Sequence, residues 1–143
     1  MTELAMIKTI FIKAKPEQVW GFLTEADKLA RWFHEANGDM AEGQDYHLKY
    51  ENPERAGDKL IWGRVLEMDK PNRLVYTFTH QWLKEVETTV SWELTALNGG
   101  TQVKVTHAGF EKLAAEEQYE MLSSHDKGWD QHFDRLRTVA NFF

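Results

Sequence analysis

The chain has 143 residues, and its 17 lysines and arginines against 23 aspartates and glutamates give a formal net charge of -6. This length fits one domain, residues 1–143, with one continuous core. No basic cluster stands out, which argues against binding to nucleic acid and against insertion into an anionic membrane. The lack of cysteine excludes disulfides and thiolate chemistry. The N-terminal run, broken by Lys8 and Lys13, has no signal-peptide pattern, so a cytoplasmic location is expected.

The first third of the chain predicts one strand and then short helices. Ile7 to Lys13 is rich in β-branched residues and predicts the first strand. Pro16 then favours a helix start, and apolar residues from Val19 to Trp32 recur at the spacing of one or two short helices. The segment NGDMAEGQD marks the return to strands.

Five further strands are expected, because apolar and polar residues alternate in five segments. The predicted inward sets are Tyr46, Leu48 and Tyr50; Leu60, Trp62, Leu66 and Met68; Leu74, Tyr76, Phe78 and His80; Val86, Val90, Trp92 and Leu94; and Val103, Val105 and His107. The sequence Asn98-Gly99 predicts a tight hairpin between the last two strands.

The C-terminal segment predicts one long helix, from about Ala114 to Asn141. With Trp129 at 0° on the helical wheel, one apolar stripe lies within about 40° of it and contains Leu122, Phe133, Leu136, Ala140 and Phe143. His125 and His132 lie on one flank of this stripe. The predicted fold class is therefore α+β: a curved antiparallel sheet of about six to seven strands around a long C-terminal helix.

The stretch SSHDKGWDQHFDRL contains the residue types of a hydrolase or a metal site, but the predicted helix separates them. Neighbouring side chains on a helix diverge by about 100°, so Ser124, His125 and Asp126 form no relay. His125 and His132 lie about 10 Å apart along the axis, so one metal ion would hardly reach both, and a metal site would need a residue of the sheet to complete it. The zinc motif H-E-x-x-H also fails, because its second histidine would fall on Gly38. No catalytic residue, metal or cofactor is therefore assigned.

His80 and His107 stand at strand ends and point inward with the apolar residues. The simplest interpretation is a core histidine with satisfied hydrogen bonds. The alternative is a polar group in a mostly apolar ligand pocket. The candidate ligand-binding residues are those that face the space between sheet and helix: Trp62, Tyr76, Phe78, Trp92, His107, His125, Trp129, His132 and Phe133.

Four segments, taken in order, resemble the C-terminal-type domain of the activator of heat-shock protein 90 ATPase. They are WFHEANGDMAEGQDYHLKY, GRVLEMDKPNRLVYTF, TTVSWELTALNGGTQVKVTHAGF and GWDQHFDRL. This family lies within the START-like, birch-pollen-allergen-like SRPBCC superfamily. The resemblance runs from about Ile7 to Asn141. It implies a helix-grip fold with a seven-stranded sheet and two short helices that close one end.

The residues and the resemblance together leave three hypotheses for function: the inward aromatics support the first, the inward polar groups the second, and the resemblance alone the third. Superfamily members bind lipids, sterols or polyketides, so the leading hypothesis is non-enzymatic binding of a small apolar or aromatic molecule. The second is a cyclase, aromatase or hydrolase with His107 or His132 as acid or base and Tyr76 as donor, which requires at least two of them to converge. The third is a chaperone-accessory or stress-related interaction module. Co-chaperone activity belongs to longer family members and is not carried over, and the sequence is compatible with a homodimer.

Overall fold

The computed structural model describes residues 3–84 and 86–141. The strands and α-helices follow in the order β1 (Ala5–Ile12), α1 (Pro16–Thr24), α2 (Ala26–Trp32), β2 (Asp45–Lys49), β3 (Lys59–Asp69), β4 (Arg73–Phe78), β5 (Thr88–Leu97), β6 (Gly100–Ala108) and α3 (Ala115–Ala140). Single turns of 3-10 helix occupy the loops at Pro53–Arg55, Gln81–Leu83 and Phe110–Lys112. The two short helices and the long C-terminal helix stand where the sequence predicts them.

The strands form one antiparallel sheet in the order β1-β6-β5-β4-β3-β2. The α+β prediction is confirmed, and within the described residues the sheet has six strands where the resemblance implies seven. The β5–β6 hairpin turns at Asn98 and Gly99, whose φ angles are 53° and 78°. Two positive φ angles in succession are what a type I′ hairpin turn needs, and they explain the Asn-Gly sequence.

The long helix α3 lies against the concave face of the sheet through the predicted apolar stripe. Trp129, Phe133, Leu136 and Ala140 are buried along it, whereas Leu122 is half-buried and Phe143 lies outside the described residues. The Trp129 ring meets the edge of Trp92 on β5 at 5.5 Å between ring centroids. Each such large apolar side chain contributes about 1.5–3 kcal/mol by leaving water.

The two short helices cover one end of the space between α3 and the sheet. The indole of Trp32, at the end of α2, donates to the carbonyl oxygen of Phe22 on α1 at 2.7 Å, which joins the two helices. The same ring meets Trp92 edge-on at 6.0 Å. Phe33, the next residue, stacks on Trp129 of α3 at 5.4 Å. One aromatic cluster therefore connects α1, α2, α3 and β5.

The alternation predicted for β3 is wrong. Ile61 and Val65 are buried, whereas Leu66 is 50% exposed and Trp62 is only half-buried. Apolar residues occupy both faces of this strand, so alternation alone cannot select the inner face. The strand is also irregular, because its register with β4 shifts between Val65 and Glu67. At Gly63 an added Cβ would lie 2.1 Å from the Thr77 carbonyl oxygen, so this close approach of β4 requires glycine.

The orientation of β3 predicts unequal losses of stability for two adjacent substitutions. Val65→Ala removes fully buried methyl groups and is expected to lower the free energy of unfolding by about 2 kcal/mol. Leu66→Ala removes an exposed side chain and is expected to change it by less than about 0.5 kcal/mol. Urea denaturation of both variants measures the difference. A larger loss for Leu66→Ala than for Val65→Ala would contradict the observed orientation.

Candidate functional site

A pocket of about 420 Å³ opens between α3, the end of β4 and the turn at Gln81–Leu83. Its volume lies in the range of about 300–1,000 Å³ that is usual for small-molecule sites. Aromatic rings come from Phe33, Phe78, Trp82 and Trp129, and imidazoles come from His80, His125 and His132. The remaining lining residues are Ile61, Met121, Ser124 and Gly128. The described wall of the pocket thus contains no Asp, Glu, Lys or Arg.

The structure divides the nine residues predicted to bind a ligand into three groups. Phe78, His125, Trp129 and His132 line the pocket. Four others, Tyr76, Trp92, His107 and Phe133, are buried in the core. Trp62 lies elsewhere, in a shallow surface groove with Arg55 and Lys59. Its predicted inward orientation is wrong, because β3 turns Ile61 toward the pocket instead.

His107 on β6 is fully buried and is bonded on both sides. The indole N–H of Trp129 donates to His107 Nδ1 at 3.0 Å. Thr88 Oγ1 lies 2.8 Å from His107 Nε2 and donates its own proton to the carbonyl oxygen of Phe78 at 2.5 Å. His107 must therefore carry its proton on Nε2 and donate it to Thr88. This is a core histidine with satisfied hydrogen bonds, the simpler of the two interpretations that the sequence allows.

Two further histidines meet inside the pocket. His80 Nε2 and His125 Nε2 are 2.9 Å apart, and the two rings are parallel within 4°. His125 Nδ1 lies 2.7 Å from the Met121 carbonyl oxygen. A carbonyl only accepts, so His125 carries its proton on Nδ1, and its Nε2 accepts a proton that His80 Nε2 donates.

This assignment leaves one acceptor of the histidine pair without a donor. His80 carries its proton on Nε2, so its Nδ1 presents a lone pair. That atom is buried and has no hydrogen-bond partner among the described residues. The His80 side chain as a whole is 9% exposed. An unpaired buried acceptor costs free energy, and among the polar atoms of the lining residues His80 Nδ1 is therefore the one that most requires a partner.

His132 and His34 form a second group at the far end of the pocket. Their rings meet edge-on at 5.3 Å, and Arg135 donates to His132 Nδ1 at 2.9 Å. The Arg135 guanidinium also donates to the carbonyl oxygen of Trp32. Arg135 and His34 line a separate groove beside Glu51, where His34 Nδ1 is buried without a partner. Arg135 is thus held outside the aromatic pocket.

The three residues of the enzyme hypothesis do not converge. The Tyr76 hydroxyl accepts from the indole N–H of Trp92 at 3.0 Å. His107 bonds Trp129 and Thr88, and His132 bonds Arg135. Each polar group is engaged with a different partner, so no acid–base pair forms among them.

Burial keeps the histidines of the pocket neutral. It lowers the pKa of His80 to about 4, with a smaller effect from His125. It lowers the pKa of His132 to about 3, with smaller effects from His34 and Arg135. The pKa of His107 lies well below its usual value for the same reason. With neutral imidazoles and no charged residue in the described wall, the pocket is uncharged at neutral pH.

Seven lining residues are absent from the predicted ligand-binding set: Phe33, Ile61, His80, Trp82, Met121, Ser124 and Gly128. Of these, the sequence indicates only His80 as a possible polar group of a pocket. A signal for part of the α3 wall is present in the sequence. Met121, His125, Gly128 and His132 fall on a helical flank about 60° wide beside Trp129. No comparable periodicity marks Trp82, because it lies in a loop.

The hydrogen bonds predict the tautomers of three histidines. His80 and His107 are expected to carry the proton on Nε2, and His125 on Nδ1. Two-dimensional ¹⁵N NMR of histidine-labelled protein at neutral pH distinguishes the two forms, because protonated and unprotonated ring nitrogens differ widely in chemical shift. A proton on Nδ1 of His107 would contradict the bond from Trp129.

Stability is expected to fall between pH 7.5 and pH 5.5. Burial lowers the pKa of all six histidines, whereas in the unfolded chain each titrates near its usual value of about 6.5. As the pH falls, the unfolded chain therefore binds protons that the folded chain does not bind, and this favours unfolding. Each histidine that stays neutral in the folded chain lowers the free energy of unfolding by at most about 1.4 kcal/mol for each pH unit.

Urea denaturation at several pH values measures this dependence. Most carboxylates remain ionised over this range, because their usual pKa values are about 3.9–4.3, so the histidines dominate the change. A free energy of unfolding that stays constant from pH 7.5 to pH 5.5 would show that the histidines are not buried as described.

Two classes of feature are missing from the described residues. Within residues 3–84 and 86–141, no three His, Asp or Glu side chains are grouped so as to hold a metal ion. None of the helices in the same ranges combines the length and hydropathy that a membrane span needs.

The fold has close counterparts among solved structures. Protein MLL2253 from Mesorhizobium loti is similar with a TM-score of 0.79 at 21% identity, over 95% of this chain and 96% of that chain. The Aha1 dimer from Colwellia psychrerythraea gives 0.78 at 17% identity, over 97% of each chain. CalU16 from Micromonospora echinospora gives 0.73 at 24% identity, over 92% of this chain and 73% of that chain. At these identities the similarity establishes the fold alone.

The sequence itself matches a family. No curated protein matches the chain, but the family model described as Activator of Hsp90 ATPase homolog 1-like protein matches residues 13–141. That range includes both short helices, the sheet from β2 to β6 and all of α3. The chain therefore belongs to the Activator of Hsp90 ATPase homolog 1-like family.

Proposed function

We propose that the chain binds a small, neutral, apolar or aromatic molecule in the pocket between α3 and the sheet. The observation that carries this proposal is the wall itself, in which aromatic and imidazole rings surround about 420 Å³ without a charged side chain. Rings of this kind bind other rings edge-on or offset-stacked. Binding of apolar molecules between helix and sheet also agrees with what the superfamily implies.

The expected affinity follows from the apolar area that a ligand buries. A two-ring ligand burying about 250 Å² of apolar surface gains roughly 6 kcal/mol before the costs of ordering. After those costs, dissociation constants from micromolar to millimolar are expected. This range needs no catalytic group. The chaperone-accessory role, the homodimer and the cytoplasmic location stay predictions.

Gly128 offers a direct way to fill the pocket. It lines the pocket on α3, and a Cβ built on it meets no atom within 4 Å. Gly128→Leu is therefore expected to weaken the binding of naphthalene-type ligands at least tenfold while the fold is retained, since leucine is the better helix former. Tryptophan fluorescence titration measures the affinity, and native mass spectrometry of gently purified protein reports any retained molecule.

Ser123→Leu is the matched control for this substitution. It adds the same side chain to the same helix at an exposed position outside the pocket, so it should leave the affinity unchanged. Equal affinities of the wild type and Gly128→Leu would place binding elsewhere. An absence of saturable binding across apolar and aromatic ligands, with no retained mass, would remove the proposal.

A further inference from the structure

His80 Nδ1 is the unpaired acceptor in this pocket. Its ring lines the pocket, and the side chain is 9% exposed. The atom itself is buried and lacks a partner among the described residues. The other ring nitrogen already donates to His125. The ring can therefore take one more hydrogen bond, and it can take it only as an acceptor.

The contacts of His125 keep His80 in this accepting form. His125 Nδ1 donates to the Met121 carbonyl oxygen at 2.7 Å, so His125 Nε2 is left to accept from His80. Reversal of the pair would require His125 to lose that bond. A hydrogen bond donated at one side of an imidazole also polarises the ring and strengthens its opposite nitrogen as an acceptor. The pair thus presents a fixed and strengthened acceptor.

The wall determines what kind of donor fits. A cationic donor would leave water for a site without a carboxylate, and an anion would meet no Lys or Arg in the described wall; both lose hydration without a compensating charge. A neutral hydroxyl or ring N–H avoids these losses. The four aromatic rings of the wall favour a flat aromatic body on that donor.

Trp82 packs beside His80. Its ring meets the His80 ring at 5.6 Å between centroids and a 63° interplanar angle. Trp82 is also 52% exposed, so among the rings around His80 it is the one that moves with the least loss of buried surface. Because His80 Nδ1 itself is buried, a donor reaches it when a covering side chain moves aside, and Trp82 is the candidate for that movement.

We propose that the ligand is a neutral aromatic molecule with a hydroxyl or ring N–H that donates a hydrogen bond to His80 Nδ1. This inference rests on the proposed ligand-binding function and narrows it to one chemical class. This requirement for a donor distinguishes the proposed ligand from fatty acids and pure hydrocarbons, which offer no such donor at neutral pH.

Four ligands of one ring system test the inference on the wild-type protein: 2-naphthol, 2-methoxynaphthalene, naphthalene and 2-naphthoate. Only 2-naphthol carries a donor, and its two neutral partners bracket it in size. We expect 2-naphthol to bind about tenfold more tightly than either, and 2-naphthoate to bind more weakly than 2-naphthol. Isothermal titration or tryptophan fluorescence gives the four dissociation constants.

Two substitutions test which residue of the protein accepts the hydrogen bond from the hydroxyl of 2-naphthol. His80→Phe keeps a ring and removes the acceptor, so the preference for 2-naphthol over 2-methoxynaphthalene should fall to about one while naphthalene still binds. His47→Phe is the matched control, because it makes the same exchange on β2, outside the pocket lining, and should retain the preference. In wild-type protein, 2-naphthol should also shift the ¹⁵N resonance of His80 Nδ1, and 2-methoxynaphthalene should not.

The outcomes separate this inference from the proposed function. If naphthalene, 2-methoxynaphthalene and 2-naphthol bind equally to the wild type, the proposed role of His80 is overturned, whereas the proposed binding in the apolar pocket stands. If 2-naphthoate binds as tightly as 2-naphthol, the pocket selects anions and the inference is wrong. If none of the four binds, the proposed function fails and the inference fails with it.

Discussion

The hydrogen bond from the Trp129 indole to His107 Nδ1 is the contact on which the rest of the structure depends. It joins the middle of α3 to β6, and Thr88 and the Phe78 carbonyl extend it to β5 and β4. Every member is buried, so loss of one partner leaves another unpaired at a cost of about 1–3 kcal/mol. The bond also fixes the rotation of α3 about its axis. That rotation turns Gly128 and its flank of the helix toward the pocket.

The same aromatic residues serve both the core and the pocket, and side-chain size decides which role each has. Around Trp92 the rings of Trp32, Trp129 and Phe133 pack directly against its indole, with centroid separations of 5.5–6.0 Å. Gly128 directly precedes Trp129 on α3 and lies about 100° around the helix axis from it, and it has no side chain to cover the opposing wall. A single helix can therefore close the core along one face and leave a pocket beside the adjacent flank.

Burial accounts for the chemical character of the pocket. Desolvation keeps its imidazoles neutral, and neutral imidazoles act as paired donors and acceptors. Most of these pairs are complete within the protein, which is why Tyr76, His107 and His132 do not form an acid–base pair with one another. His80 Nδ1 has no donor among the described residues, so the otherwise apolar pocket holds one hydrogen-bond acceptor with a fixed direction. Such a wall selects a ligand by shape and by one hydrogen bond.

The sequence alone determined the fold class, the β5–β6 hairpin and α3, because long runs with one apolar face allow only one packing. It could not orient β3, where Ile61 and Trp62 are both apolar and only the bulge and the close approach at Gly63 select Ile61. It also placed His125 beside Trp129. Only the tertiary structure decided that His125 meets His80, 45 positions away in the chain. Hydrogen bonds between distant segments leave no periodic trace in a sequence, since they depend on how the sheet curves around the helix.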